Sequence, residues 1–153
     1  MKYERLKSLE EYLAKVEAAL LQEDARSPFI YPQQSISPWN SKHLDAANKS
    51  LLDSVSGVAN VYAIFTALRN SNVFTLRYIG KTKRKLARQR IRNHLIKKNA
   101  KTGAKLDNIA AIVQSGGLVK ISWIKIEPES LRNYIEEELI YRHKEADWNR
   151  ENA

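Results

Sequence analysis

The apolar positions of this chain change their period once, near residue 60. Before that point leucine and valine recur at three- and four-residue steps, which predicts helices over residues 3–22 and 42–55. The stretch 26–41 between them holds three of the four prolines and has no regular period. We therefore expect a surface arm there, with its aromatic side chains packed against the body. The first helix packs either on its own domain or on a second subunit, and we favour its own domain.

Beyond residue 60 the pattern becomes that of strands alternating with helices. Residues 60–68 and 73–80 are rich in β-branched and aromatic side chains and flank the turn-forming sequence RNSN, which predicts an antiparallel hairpin. Helices are predicted over 83–99, 104–115 and from 130 to about 143. A strand over 118–126 carries apolar residues on both faces, which is typical of a central strand.

The order of these elements predicts an α/β (α+β) fold, in which helices flank a three-stranded antiparallel sheet. We divide the chain into a helical N-terminal extension with its proline-rich arm, residues 1–56, and a main domain, residues 57–153.

Charge is distributed very unevenly along the chain. The net charge is +9, yet no acidic residue lies between Asp53 and Asp107, a span that contains 13 lysines and arginines. One continuous third of the chain is therefore strongly cationic. Such a surface attracts polyanions, of which nucleic acid is the commonest in a cytoplasm, although a solvated basic face without a partner has the same composition.

The cellular setting follows from what the sequence lacks. It has no cysteine and no apolar run near the roughly 18 residues of a membrane span. We expect a cytoplasmic protein without membrane contact.

Candidate chemistry centres on residues 78–94, YIGKTKRKLARQRIRNH. Arg90 and His94 are four residues apart on the predicted basic helix and so share a face. Tyr62 and Tyr78 lie on the two strands of the predicted hairpin, where both side chains can point to one face of the sheet. Arginine holds phosphate oxygens in a bidentate manner, and histidine exchanges protons near neutrality.

Taken together, NVY at 60–62, YIG at 78–80, RIRNH at 90–94, IEEELI at 135–140 and WN at 148–149 resemble the GIY-YIG nuclease family in motif and order. The resemblance covers about residues 58–150, with Asn60 in place of the first glycine and a slightly longer spacing from Tyr78 to Arg90. It implies a metal-dependent endonuclease that hydrolyses phosphodiester bonds of DNA.

The resemblance also implies a role for each matching residue. Tyr62 would activate the attacking water as general base, and Tyr78 would position the water or the scissile phosphate. Arg90 would stabilise the phosphoryl oxygens, and His94 would assist proton transfer. Asn149 would anchor the far edge of the site.

A glutamate on the last helix would bind one Mg²⁺ or Mn²⁺ ion per active site. The apolar neighbours of Glu136 match the family pattern, whereas the spacing to Asn149 favours Glu137; we take Glu136 as the ligand.

Double-stranded DNA is the expected partner, and we expect Lys81, Arg88, Arg92, Lys97 and Lys98 to contact it. Base-specific contacts could come from the arm at 26–41 or from a basic loop at 97–105. The compact chain resembles the restriction-type members, which would be expected to pair as a homodimer to cut both strands. The alternatives are a structure-specific repair or mobile-element nuclease, and an inactive nucleic-acid-binding module.

Overall fold

The computed structural model describes residues 1–98 and 104–150. Within these residues the strands are β1 (Ser27–Phe29), β2 (Val61–Ala67), β3 (Thr75–Lys81) and β4 (Leu118–Ile124). The α-helices are α1 (Leu6–Leu21), α2 (Gln33–Ile36), α3 (Ser41–Ala47), α4 (Lys49–Val55), α5 (Ala87–Leu95), α6 (Leu106–Gln114) and α7 (Arg132–Arg142). Short 3₁₀ turns occupy Glu23–Ala25, Arg84–Leu86, Glu129–Leu131 and Asp147–Arg150.

Some predicted features lie outside the described residues. Residues 99–103 include the end of the helix predicted over 83–99 and most of the basic loop predicted over 97–105. Residues 151–153 are the end of the predicted main domain.

The prediction of a three-stranded sheet was wrong, because the sheet has four antiparallel strands in the order β1-β4-β2-β3. The additional strand comes from the arm at 26–41, where Ser27 pairs with Ile121 and Phe29 with Val119. Three residues are too few to show an alternating pattern, and Pro28 argues against a strand in the sequence. Proline is nevertheless tolerated at a sheet edge, where its missing N–H is not required by a neighbour.

The predicted hairpin and the central position of the third predicted strand are both confirmed. β2 pairs with β3 on one side and with β4 on the other, and β4 in turn separates β2 from β1. Every residue of β2 is buried, because helices cover both faces of the sheet.

Two apolar cores lie on the two faces of this sheet. One contains Tyr62 and Ile64 of β2 together with the apolar faces of α5 and α6 and residues of the N-terminal arm and of α3 and α4. The other contains Val61, Ala63 and Phe65 with the apolar faces of α1 and α7. No helix in the described residues has both the length and the apolar character needed to cross a membrane.

Three asparagine side chains pair with backbone amides as a neighbouring strand would. The carboxamide of Asn48 accepts from Ile30 N at 2.7 Å and donates to Ile30 O at 2.8 Å. Asn60 does the same with Ile126, and Asn149 does the same with Ile79. The helix predicted over 42–55 is divided at Asn48 into α3 and α4, and it is this residue that attaches the arm to the helices.

Candidate active site

A cleft of about 300 Å³ opens where β2 and β3 meet α5 and α7. Its walls include five of the residues predicted to form the site, and these come from four different elements of the fold: Tyr62, Tyr78, Arg90, His94 and Glu136. Lys81 and Asn93 also line it.

Tyr62 lies across Gly80, its partner on the neighbouring strand. A Cβ atom built at Gly80 would lie 2.6 Å from the Tyr62 hydroxyl oxygen and 2.8 Å from Cε2, closer than side chains pack. Only glycine therefore leaves room for the buried Tyr62 ring against β3. Gly80 lies inside β3, so the glycine of the YIG sequence serves this close approach and does not begin a turn.

The rings of Tyr62, Tyr78 and His94 form a triangle. Their centroids are 6.2 Å apart for the two tyrosines, 5.8 Å for Tyr62 and His94, and 5.0 Å for Tyr78 and His94. Both tyrosines therefore face the same helix, α5, from adjacent strands.

His94 is held in one tautomer by its two hydrogen bonds. The backbone N–H of Lys105 donates to Nδ1 at 3.1 Å, so that Nδ1 must be the unprotonated nitrogen of the neutral ring. Nε2 consequently carries the hydrogen and donates it to the Tyr62 hydroxyl oxygen, 2.8 Å away. Burial, followed by the charges of Arg90 and Lys105, lowers the pKa of His94 to about 4. The ring is therefore neutral at physiological pH, and it acts as a hydrogen-bond donor to Tyr62.

Tyr62 has a high pKa in the uncomplexed protein. Burial raises this pKa well above 10, Tyr78 and Glu136 raise it further, and Arg90 opposes the rise. Because the hydroxyl oxygen accepts from His94, its own proton is free to point elsewhere. The Tyr62 oxygen thus accepts one hydrogen bond, from His94, and Arg90 favours its ionised form, although burial outweighs that effect.

Arg90 is an exposed cation of the cleft. Its guanidinium forms no ion pair with any residue in 1–98 or 104–150, although its charge acts on Tyr62, Tyr78 and His94. It is therefore available to bind an anion that enters the cleft.

Glu136 supplies the carboxylate. Burial raises the pKa of Glu136, and Lys81, whose Nζ lies 3.9 Å from Oε1, partly offsets that effect. The neighbouring Glu137 is exposed and does not line the cleft. Among the described residues that line this cleft, Glu136 is the only carboxylate, and the described part of the chain has no group of three or more potential metal-ligating side chains.

Asn149 is outside the cleft and acts through β3. Its carboxamide bonds both the N–H and the carbonyl of Ile79, at 2.9 and 2.8 Å, immediately after Tyr78. Arg77 on the other side of Tyr78 forms a bidentate pair with Asp147, at 2.8 and 3.1 Å. The turn at Asp147–Arg150 therefore fixes the strand segment that carries Tyr78.

Most of the basic residues predicted to contact DNA have carboxylate partners. Arg88 pairs with Asp53 at 2.6 Å, and Arg92 binds both oxygens of Asp45 at 2.7 and 2.8 Å. Both pairs attach α5 to the N-terminal helices. Lys98 lies 3.7 Å from Asp107, whereas Lys97 is exposed and makes no ion pair with a described residue. The partners of Arg88 and Arg92 are 35 and 47 residues away in sequence, so a gap in acidic residues along the chain could not reveal them.

The N-terminal arm closes the end of the helix that carries His94. Tyr31 donates its hydroxyl hydrogen to Leu95 O at 2.7 Å, and Trp39 Nε1–H donates to Ile96 O, also at 2.7 Å. Terminal carbonyls of a helix have no partner within it. The packing of the arm's aromatic residues was predicted correctly, but these two bonds to the end of α5 were not foreseen.

No protein-family model, curated protein or solved structure matches this chain. What the cleft can do therefore follows from its own geometry and from the motif resemblance.

Proposed function

We propose that the protein is a divalent-metal-dependent DNA endonuclease of the GIY-YIG type. The observation that carries this proposal is the convergence of Tyr62, Tyr78, Arg90, His94 and Glu136 on one cleft, although they span 75 residues of sequence. These are the positions at which the motif resemblance expects catalytic groups.

The proposed reaction is hydrolysis of a phosphodiester. A water oxygen forms a bond to phosphorus while the bond to the 3′ oxygen breaks, and the water proton passes to the Tyr62 phenolate. The leaving 3′ oxygen takes a proton from solvent. Arg90 binds the non-bridging oxygens, on which charge accumulates. His94 holds the Tyr62 oxygen through its hydrogen bond, and Tyr78 would position the water or the scissile phosphate.

Glu136 fits a single Mg²⁺ ion better than it fits a metal with an all-protein ligand set. Magnesium retains several waters and is usually held by one or two carboxylates together with substrate phosphates. One half-buried carboxylate on an open cleft meets that description. When bound, Mg²⁺ or Mn²⁺ would supply Lewis-acid polarisation of the phosphate.

The pKa of Tyr62 indicates when its phenolate can form. The high pKa of Tyr62 disfavours the phenolate in the free protein, because burial and the Glu136 carboxylate both oppose a second negative charge. A cation at Glu136 would cancel that carboxylate's effect. We therefore expect the phenolate to form more readily once the metal is bound.

The test is the nicking of supercoiled plasmid in Mg²⁺, in Mn²⁺ and in EDTA. Glu136→Gln and Tyr62→Phe should each reduce the metal-dependent rate at least about 100-fold, in the range seen when one transition-state contact is removed. Glu137→Gln is the matched control, one residue away and outside the cleft, and should retain the wild-type rate. Absence of cleavage in both metals, despite binding of the plasmid, would refute the enzyme and leave the nucleic-acid-binding module.

The restriction subtype and the homodimer remain proposals. Sequencing the ends produced from a mixed DNA library tests the subtype, since one shared cut motif is expected of a restriction enzyme. Cutting confined to junctions or flaps would instead indicate a repair nuclease.

A further inference from the structure

A second, larger cleft lies beside the catalytic one. It has a volume of about 510 Å³ and is lined by four basic residues and one acidic residue: Lys83, Arg84, Lys85, Arg132 and Glu129. Its net charge is strongly positive, and none of its residues was included in the predicted site.

Two of these four cations contact other residues of the protein, but of these two only Arg84 lies within 4 Å of described carboxylates; Arg132 contacts one backbone carbonyl and keeps its charge for an anion. The guanidinium of Arg84 lies 3.9 Å from carboxylate oxygens of both Glu127 and Glu129, and Glu129 also accepts the Arg84 backbone N–H at 2.7 Å. Arg132 donates from Nη1 to the Glu129 carbonyl at 3.0 Å. These contacts shape the floor of the cleft and neutralise its one carboxylate.

Lys83 and Lys85 differ from the cations of α5. Both are exposed, and neither ammonium makes a hydrogen bond or ion pair with a residue in 1–98 or 104–150. Arg88 and Arg92, by contrast, are already paired with Asp53 and Asp45. A phosphate that approached Arg92 would have to displace a bidentate carboxylate, whereas one that approached Lys83 or Lys85 would displace only water and counterions.

Position links this second cleft to the catalytic one. Lys83 follows Lys81, which lines the catalytic cleft, by two residues. Arg132 and Glu136 are four residues apart on α7 and so lie on one helix face, separated by about 6 Å of helical rise. That separation is comparable to the distance between neighbouring phosphates of one DNA strand, so a strand bound at Glu136 would bring a flanking phosphate near Arg132.

We propose that Lys83, Lys85 and Arg132 bind the phosphates of the DNA strand that flank the scissile one. This assignment rests on the proposed function, and it deepens it by naming the surface along which the substrate backbone runs. The substrate must then extend past the cut on the side of the second cleft, and the paired arginines of α5 are structural.

Salt dependence of DNA binding tests the assignment without cleavage. Binding of a short fluorescent duplex of mixed sequence is measured in EDTA between about 50 and 200 mM KCl, where each phosphate contact contributes about 0.9 to the slope of log K against log salt. The double variant Lys83→Gln/Lys85→Gln should lower the slope by about 1.8, and Arg132→Gln by about 0.9. The matched control Lys15→Gln removes an exposed cation from α1 and should leave the slope unchanged.

Arg92→Gln supplies the decisive contrast. A slope that falls as much in Arg92→Gln as in Lys85→Gln, or one that is unchanged in the double lysine variant, overturns the assignment. Exposed lysines contribute little to folding, and far-UV circular dichroism of each variant verifies this.

The failure of this inference and that of the proposed function are distinguishable. Reduced slopes in a protein that never cleaves in Mg²⁺ or Mn²⁺ support the phosphate surface and refute the nuclease. Metal-dependent cleavage with unchanged slopes refutes the surface and supports the nuclease. Absence of DNA binding by the wild-type protein refutes both.

Discussion

Adding one methyl group at Gly80 should disable the cleft through Tyr62. The new Cβ would lie 2.6 Å from the Tyr62 hydroxyl oxygen, whereas ordinary contacts begin at 3.4 Å, so that the ring must retreat by most of an ångström. That oxygen is fixed 2.8 Å from His94 Nε2, and Tyr62 is almost fully buried. Overpacking of this kind costs about 1–3 kcal/mol of unfolding free energy. A displacement near 1 Å in a catalytic group costs about 100-fold in rate.

Urea unfolding and plasmid nicking of Gly80→Ala measure the two effects separately. Gly116→Ala is the control, because this glycine has a φ of +91° and lies at the opposite end of the sheet from Tyr62. Backbone strain there should cost about 1–2 kcal/mol, with no change in the cleavage rate. The control therefore separates a general loss of stability from a displaced Tyr62.

A double-mutant cycle isolates the clash itself. In a Tyr62→Leu background the ring atoms that meet the new methyl group are absent, so Gly80→Ala should destabilise the protein by less than about half as much as in the wild type. An equal cost in both backgrounds would refute the steric argument. So would full nicking activity in Gly80→Ala.

Three further predictions concern His94, the arm and α1. Because the proposed base is the Tyr62 phenolate and the pKa of Tyr62 is high, the nicking rate should rise between pH 6 and 9. Because His94 is a neutral donor through Nε2, with its pKa lowered to about 4, that rise should show no inflection near 6.5. His94→Gln, which keeps a donor in that region, should retain more activity than His94→Ala; equal loss, or an inflection near 6.5, would contradict the assigned tautomer. Trp39→Phe removes the hydrogen bond to Ile96 O and should lower the free energy of unfolding in urea by about 1 kcal/mol. Because this loosens the helix end beside His94, the nicking rate should also fall several-fold. An unaltered nicking rate would exclude this role of Trp39. Burial alone would lower the pKa of His143, but its hydrogen bonds to Glu17 on α1 and to Glu145 outweigh burial and raise it. The protonated His143 therefore stabilises the fold fully below about pH 6.5, and this stabilisation is lost as the pH rises through the raised pKa of His143. The free energy involved is on the order of 1 kcal/mol or less. Urea unfolding of His143→Gln should therefore show a weaker dependence on pH than that of the wild type.

The sequence was most informative where several residues share one period or one motif. The hairpin of β2 and β3 and the central β4 each carry seven residues of strand-forming side chains, which outweigh any single exception. β1 has only three residues, one of them a proline, and its pairing is decided by β4 rather than by its own composition. The sequence could not predict that strand.

The sequence also could not predict which side chains far apart in the chain would become partners. Arg92 and Asp45 are 47 residues apart, and their bidentate pair depends on how α3 packs against α5. The same holds for the contact of Lys105 N–H with Nδ1, which decides the tautomer of His94 and thereby the direction of its hydrogen bond to Tyr62. Motif spacing brings residues to one cleft but does not determine their protonation.

The asparagine that binds β3 also affects how this protein meets other copies of itself. β3 is an edge of the sheet, and exposed edge groups can recruit a strand from another chain. The Asn149 carboxamide occupies the outward N–H and carbonyl of Ile79, so that a new strand cannot pair through that residue. The opposite edge, β1, is short and contains Pro28. Asn149 therefore also protects this edge against strand addition at Ile79, and its replacement should increase self-association, measured by light scattering.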